Sequence, residues 1–300
     1  MDRRSFIKNC ILLGCGAAFL YSSKLLYDAK YTTNNKKFDI HHIEFHLVEH
    51  CNLKCKYCSH FSSVAEPEFL DLEKFKKDIK RLADVTKSSI EEIFILGGEP
   101  LLHPQINVFL KDTRKYFPNS KLVLLTNGLL LETMSETFWE AMHDNQIILS
   151  ISQYPVNLNV EKIKRIAEKY NITTLVHVYK TFYKANLNIN SNKNSEEVFK
   201  GCLAQNECVN IADGKIFHCF VPAYIRHLNK KFNMNFEVTT KDYIDIYKAK
   251  NVKEINSFLS LASPFCRYCY DNNILSLPWE NSEKHDVKEF IWFEGQDKLL

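Results

Sequence analysis

Three cysteines stand at positions 51, 55 and 58, in the run CNLKCKYC. A structural zinc site takes four ligands, often as two close pairs. Three thiols on one short loop point instead to a metal centre with one coordination position left open. A zinc site completed by His50 or His60 is the alternative. Further along, Cys202, Cys208 and Cys219 surround a lone Gly214, and Cys266 and Cys269 form a CxxC pair. Disulfide frameworks belong to small secreted domains. A chain of 300 residues with ten cysteines, most of them clustered, therefore reads as a metal protein. The chain has only 8 glycines, against an average usage of about 7%. Gly97, Gly98, Gly128 and Gly214 are placed where the backbone turns or something approaches closely.

These residues must be held by something, and the chain from residue 39 alternates apolar runs with amphipathic stretches. IEFHLVEH, EEIFILGG, KLVLLTNG, QIILSIS and TTLVHVY read as five strands. Asp71 is a helix cap, with Leu72, Phe75, Ile79 and Leu82 as the apolar stripe after it. Pro104 is placed to start a second helix and Pro118 to follow its end. Ser135 to His143, and the stripe Val160, Ile163, Ile166, Ala167, are two more. Such alternation predicts a parallel α/β sheet, open or partly closed into a barrel. Chemistry in these sheets collects beyond the C-terminal strand ends. Cys51, Cys55 and Cys58 follow the first strand. Gly97-Gly98-Glu99-Pro100 follows the second, Thr126-Asn127-Gly128 the third, and Ser150 and Ser152 end the fourth. Near residue 182 the rhythm breaks. CVNIADGKIFHC then predicts a β-hairpin turning at Asp213-Gly214.

CxxxCxxC with an aromatic before its last cysteine, and GGEP at the next strand's end, resemble the radical S-adenosylmethionine (radical SAM) superfamily over roughly residues 40 to 180. The resemblance implies a partial (β/α)6-type barrel followed by a small C-terminal β-hairpin region. It implies that Cys51, Cys55 and Cys58 ligate a [4Fe–4S] cluster, whose free iron takes the amino and carboxylate groups of S-adenosylmethionine. Reductive cleavage of that cofactor yields a 5′-deoxyadenosyl radical that abstracts hydrogen from substrate. Tyr57 is expected near the adenine. The Gly97–Pro100 turn offers backbone acceptors to the methionine ammonium, with Gly97 and Gly98 small enough to permit the approach and Glu99 holding the turn. Ser150 and Ser152 are expected at the ribose or carboxylate, and His177 near the adenine; ordinary strand-end packing is the alternative for these three. His41, His42 and His46 read as packed or solvated, and His103 and His218 as weaker candidates for substrate contact.

Cys202, Gly214, Cys219 and the Cys266–Cys269 pair resemble the Twitch and SPASM regions, which implies one auxiliary [4Fe–4S] cluster on Cys202, Cys219, Cys266 and Cys269. A zinc site on the same thiolates is the alternative, and Cys208 is left over, either a free thiol or a ligand in place of Cys202. The expected organisation is a leader over 1–30, a core over 39–185, an auxiliary-cluster region over 200–270 and a tail over 271–300. No cobalamin-binding domain is recognisable, and the stretch before residue 39 is too short for a peptide-binding domain. The expected activity is hydrogen abstraction from a small-molecule substrate, a sugar derivative undergoing dehydrogenation, with electrons from a flavodoxin- or ferredoxin-type donor. An iron–sulfur carrier or metal-stabilised binding protein that never cleaves the cofactor is the rival reading. A net charge of +3 gives no reason to expect nucleic acid. Arg3-Arg4 before an apolar run of 12 residues resembles a twin-arginine signal. It carries the expectation of a membrane-associated protein with a cytosolic catalytic face; export by the twin-arginine machinery and a cytoplasmic location are the alternatives.

Overall fold

The apolar runs become strands and the amphipathic stretches helices, in the order β1 (Ile40–His46), α1 (Leu72–Thr86), β2 (Ile90–Leu96), α2 (Ile106–Tyr116), β3 (Lys121–Thr126), α3 (Glu136–Asp144), β4 (Ile147–Gln153), α4 (Val160–Lys169) and β5 (Thr174–Val178). The computed structural model describes residues 38–184, 187–202, 208–269 and 276–291. Side-chain caps start α1, α3 and α4. Asp71 accepts from Lys74 N at 2.7 Å, Ser135 from Phe138 N at 3.3 Å and Asn159 from Lys162 N at 3.0 Å. Helix α2 begins two residues after Pro104. A 3₁₀ turn at Pro100–Leu102 comes first, and His103 Nδ1 accepts from Gln105 N at 3.1 Å, which holds the chain out of helix until Ile106.

Strands β1 to β5 are parallel neighbours. The chain continues through β6 (Thr181–Tyr183), α5 (Ser195–Gly201), β7 (Asn210–Ala212), β8 (Lys215–Phe217), α6 (Phe220–Phe232), β9 (Tyr243–Asp245), α7 (Val252–Leu259) and β10 (Ser276–Pro278). The eight-stranded sheet runs β5-β4-β3-β2-β1-β7-β8-β9. The predicted hairpin is present, with Asp213 and Gly214 both left-handed at φ 53° and 70°, as a two-residue turn requires. It joins the main sheet: β7 lies parallel to β1, so the sixth parallel strand enters on the β1 edge. β6 instead pairs antiparallel with β10. The fold is mixed α/β, a partial radical-SAM-type (β/α) barrel with a small C-terminal strand-and-turn region.

Strand alternation divides the sheet into two faces. One face, with Ile43, Phe45, Ile93, Ile95, Leu122, Leu124, Leu149 and Ile151, packs against Phe75, Ile79, Phe109, Phe138 and Ile163 of the helices. The other carries a small apolar layer of Phe94, Leu96, Val123 and Ile148. Buried polar residues surround that layer: His42, Glu44, Glu92, Ser150 and Asn210.

The leader of residues 1–30, including Cys10 and Cys15, lies outside the described residues. The membrane association expected from it is corrected: among the described residues no helix is long and apolar enough to cross a membrane. The longest, α1, has 15 residues and includes Glu73, Lys76, Lys77 and Lys80, whereas a span needs about 20 mostly apolar residues.

Candidate active site

The C-terminal ends of β1 to β4 open into one cleft, lined by Cys51, Cys55, Tyr57, Cys58, Gly97, Gly98, Asn127, Ser152 and Tyr154 among others. Three loops the sequence placed on one rim are thus brought together. The glycine turn explains how the cysteine loop comes so close. Gly98 N donates to Val48 O at 2.7 Å and Glu99 N to His50 O at 3.1 Å. A Cβ on Gly97 would lie 2.4 Å from Val48 O, and one on Gly98 2.1 Å from His50 O. The glycines are therefore required by the backbone of the incoming loop, a reason different from the cofactor approach expected of them.

Glu99 and Pro100 lie behind this turn, not in the cleft lining. The fully buried Glu99 carboxylate accepts from Thr126 Oγ1 at 2.7 Å, Asn127 N at 3.0 Å and Leu101 N at 3.1 Å, tying the β2 turn to the end of β3. Loss of water raises its pKa to about 7 in spite of these donors. Ser152 lines the cleft. Ser150 is one pleat deeper on the same face, fully buried, with no hydrogen-bond partner for its Oγ. His177 stands opposite Ser152 on β5, and burial lowers its pKa to about 4. His103 binds Leu70 O and Gln105 N through its two ring nitrogens, and His218 binds Phe258 O. Both are packing residues.

Burial raises all three thiol pKa values, that of Cys55 to about 12. Ionised Cys58 would further disfavour ionisation of Cys51 and Cys55. The surroundings nevertheless aim donors at sulfur. Leu53 N is 3.4 Å and Asn127 Nδ2 3.6 Å from Cys51 Sγ, and Trp279 Nε1 is 3.2 Å from Cys55 Sγ. Around Cys58, backbone N–H groups of Ser63, Ser62, His60 and Phe61 act against the rise. Left-handed Tyr57 and Phe61, at φ 62° and 59°, help wrap the loop round it. Three thiols at the floor of a cleft, Cys55 buried and Cys51 and Cys58 half-buried, that repel one another as thiolates yet are met by N–H groups, fit a centre whose own positive charge holds them deprotonated. Among the described residues, no three His, Cys, Asp or Glu side chains converge to hold a single ion. His50, an alternative zinc ligand, turns to Phe69 and accepts from Glu68 N.

A second cysteine group forms at the C-terminal side. Cys202 caps the end of α5, Cys219 opens α6, and Cys266 and Cys269 bracket the end of a 3₁₀ turn at Pro264–Tyr268. Burial and then Cys269, Cys202 and Cys266 raise the Cys219 pKa, so the four predicted thiols are neighbours. Burial and the Cys202 thiolate push Cys266 to about 11. Asp242 fixes the turn beneath them, accepting from Ser263 Oγ and Phe265 N, both at 2.6 Å. Cys208 is fully buried in the apolar cluster that includes Phe217 and Tyr224.

Sequence reasoning missed Asn127 as a sulfur donor, although Thr126-Asn127-Gly128 was placed on the correct rim. It also missed Trp279, whose single indole in a presumed tail carries no local signal.

A sequence model described as the radical SAM superfamily matches residues 46–192. Among curated proteins the chain is similar to GTP 3′,8-cyclase of Aliarcobacter butzleri (strain RM4018), 32% identical over 133 residues, 43% of this chain and 39% of that one. The similarity to GTP 3′,8-cyclase of Microcystis aeruginosa is 29% over 106 residues, 34% of this chain and 32% of that one. The chain thus spans about two fifths or less of the length of these relatives. Among solved structures it resembles BtrN in complex with AdoMet and 2-DOIA, at TM-score 0.48 and 19% identity, over 78% of this chain and 94% of that one. It also resembles Streptococcus suis SuiB at TM-score 0.37 and 12% identity, over 73% of each chain. Residues 46–192 thus form a radical SAM superfamily domain, which marks the chain as an enzyme and implies a cysteine-ligated iron–sulfur cluster and S-adenosylmethionine.

Proposed function

We propose that Cys51, Cys55 and Cys58 hold a [4Fe–4S] cluster and that the chain abstracts hydrogen from a small, hydroxyl-bearing molecule such as a sugar derivative. The observation that carries this reading is the single cleft shared by the three thiols, the Gly97-Gly98 turn and Ser152. Bound there, the cluster and S-adenosylmethionine would supply the 5′-deoxyadenosyl radical. The protein's share is positioning and exclusion of water. The glycine turn would present its backbone to the methionine end of the cofactor, while Tyr57 and Ser152 border its adenosine end. The cleft is also lined by Ser59, His60, Tyr179, Thr181 and Tyr183, together with the apolar Leu53, Leu96, Leu125 and Phe182. The hydroxyl groups can both donate and accept, and the aromatic and aliphatic side chains offer apolar surface, a mixture that suits a hydroxyl-bearing ring. Burial keeps His60 neutral, with its pKa near 4, so it would meet substrate as an uncharged partner.

Cys202, Cys219, Cys266 and Cys269 would close an auxiliary [4Fe–4S] cluster with four thiolates and no open iron. Such a centre suits a dehydrogenation, in which a second electron must leave the substrate. A flavodoxin- or ferredoxin-type protein would provide the reducing electron. The curated relatives act on GTP by name, but the similarity to them covers only 43% and 34% of this chain. The test is anaerobic reconstitution followed by assay of 5′-deoxyadenosine with a strong reductant. Wild type should form it, and Cys55→Ala should not. With perdeuterated amino sugars, deuterium should appear in the product nucleoside. Cluster-loaded wild type that forms no 5′-deoxyadenosine would overturn the proposal.

A further inference from the structure

The segment read as a tail reaches back to the cysteine loop. β10 pairs with β6 through Ser276↔Tyr183, Leu277↔Phe182 and Pro278↔Thr181. Trp279 N then donates to Lys180 O at 2.9 Å. On the other side Lys56 N donates to Glu280 O at 2.9 Å and Ser282 N to Lys54 O at 2.7 Å. Asn281 Oδ1 accepts from Lys54 N at 2.9 Å. Bonds before and after Trp279 therefore fix its register against Cys55. Its ring lies parallel to that of Tyr154, with centroids 6.0 Å apart and planes at 10°. Tyr154 in turn meets Phe182 edge-on at 5.3 Å. The orientation left to the indole directs its one N–H at Cys55 Sγ, 3.2 Å away. An indole has a single donor and no acceptor, so the whole of its polar capacity is committed to that sulfur.

We propose that Trp279 is a positioning residue for Cys55, raising the reduction potential of the three-cysteine centre through its N–H···S bond. The inference rests on the reading of Cys51, Cys55 and Cys58 as cluster ligands. Reduction adds negative charge that the ligating sulfurs share. A donor aimed at one of them stabilises the reduced form more than the oxidised form. The donors to Cys51 and Cys58 come from the barrel and the cysteine loop itself. The donor to Cys55 arrives from 224 residues away in sequence, so the C-terminal segment, by docking, sets part of the environment of the centre.

The test is an anaerobic redox titration of the reconstituted full chain followed by electron paramagnetic resonance. The reduced signal that changes when S-adenosylmethionine is added belongs to the open-iron centre and is the one followed. Trp279→Phe keeps an aromatic ring against Tyr154 and removes the N–H. Its midpoint should move to lower potential. Asn281→Ala removes a side-chain clamp on the same segment but leaves the indole, and its midpoint should stay at the wild-type value. An unchanged midpoint in Trp279→Phe overturns the inference, as does an equal shift in Asn281→Ala, which would assign the effect to docking alone. A wild-type protein with no S-adenosylmethionine-sensitive signal overturns the ligand reading itself, and the inference with it.

Discussion

Gly98→Ala adds one carbon, and the structure says where it goes. Its Cβ would lie 2.1 Å from His50 O, 2.3 Å from His50 C and 2.9 Å from Cys51 N. All three are backbone atoms, so no side chain can swing aside. Restoring an ordinary contact of ~3.4 Å requires the β2 turn and the cysteine loop to part by about 1.3 Å. That separation breaks the bonds from Gly98 N to Val48 O and from Glu99 N to His50 O. Two buried hydrogen bonds at ~1 kcal/mol each, and overpacking at ~1–3 kcal/mol, give a loss of about 3–5 kcal/mol. The loss falls on the residues leading into Cys51, so iron retention should fall with stability. Gly128→Ala is the control. Its Cβ would meet only side-chain atoms of Ile151 and Leu158, at 3.1 Å, and the main cost is its φ of 83°, about 1 kcal/mol. Urea unfolding of the two variants, with iron counted after anaerobic reconstitution, separates them. A Gly98→Ala protein within 1 kcal/mol of wild type and with full iron would refute the argument that backbone contact requires this glycine.

Two further outcomes follow from the buried carboxylates. Glu99 has its folded pKa raised to about 7 from an ordinary 4.5, so the folded protein holds this proton more tightly than the unfolded chain. The resulting stability is fully present below pH ~4.5 and is lost as pH rises through ~7, about 3 kcal/mol in all; urea midpoints across that window should show the slope, and Glu99→Gln should flatten it. Asp242→Ala would remove the acceptor of the Ser263 hydroxyl and of Thr239 N and Oγ1, and leave Phe265 N only its longer bond to Ser263 Oγ, at about 3–5 kcal/mol. Reconstituted wild type should bind about eight irons and this variant about four, as two four-iron centres require; four irons in wild type, or zinc at the second site, would contradict the auxiliary-cluster assignment.

What the sequence disclosed divides along physical lines. Helices α1 to α4 were legible because each buries one face, so their apolar residues recur at the helical period; strands β1 to β4 are buried on both faces and were legible as short continuous apolar runs. Asp71, Ser135 and Asn159 cap their helices with bonds made within three residues, information that is local by nature. Helix α6 gave no such signal. Phe220, Pro222, Ala223, Tyr224, Ile225, His227 and Leu228 are all buried, so its pattern is neither a stripe nor an alternation. The rim of the cleft was legible because strand ends and glycines mark it. The role of Gly98 was not, since the atoms that exclude a Cβ belong to residues 48 positions away. Trp279 was invisible for the same reason on a larger scale: what it touches depends on how the last strand pairs.

The polar side of the sheet links the two cysteine sites. His42 bonds Glu44 at 3.0 Å, and Asn210 Nδ2 donates to Glu44 at 2.8 Å. Burial alone would raise the Glu44 pKa, yet the bond and charge of His42 hold it below the ordinary range. This trio spans the junction of β1 and β7, where the backbone pairing covers only Glu44↔Asn210 and Phe45↔Ile211. A two-residue parallel ladder is weak by itself, and the buried carboxylate reinforces it. A purely apolar layer would pack as well at lower desolvation cost, but it would not choose one register over another. Glu44 accepts from Asn210 only when β7 sits in its observed place. β1 leads into Cys51, and β7 with β8 leads into Cys219. The register that Glu44 selects therefore fixes the second cysteine group relative to the first.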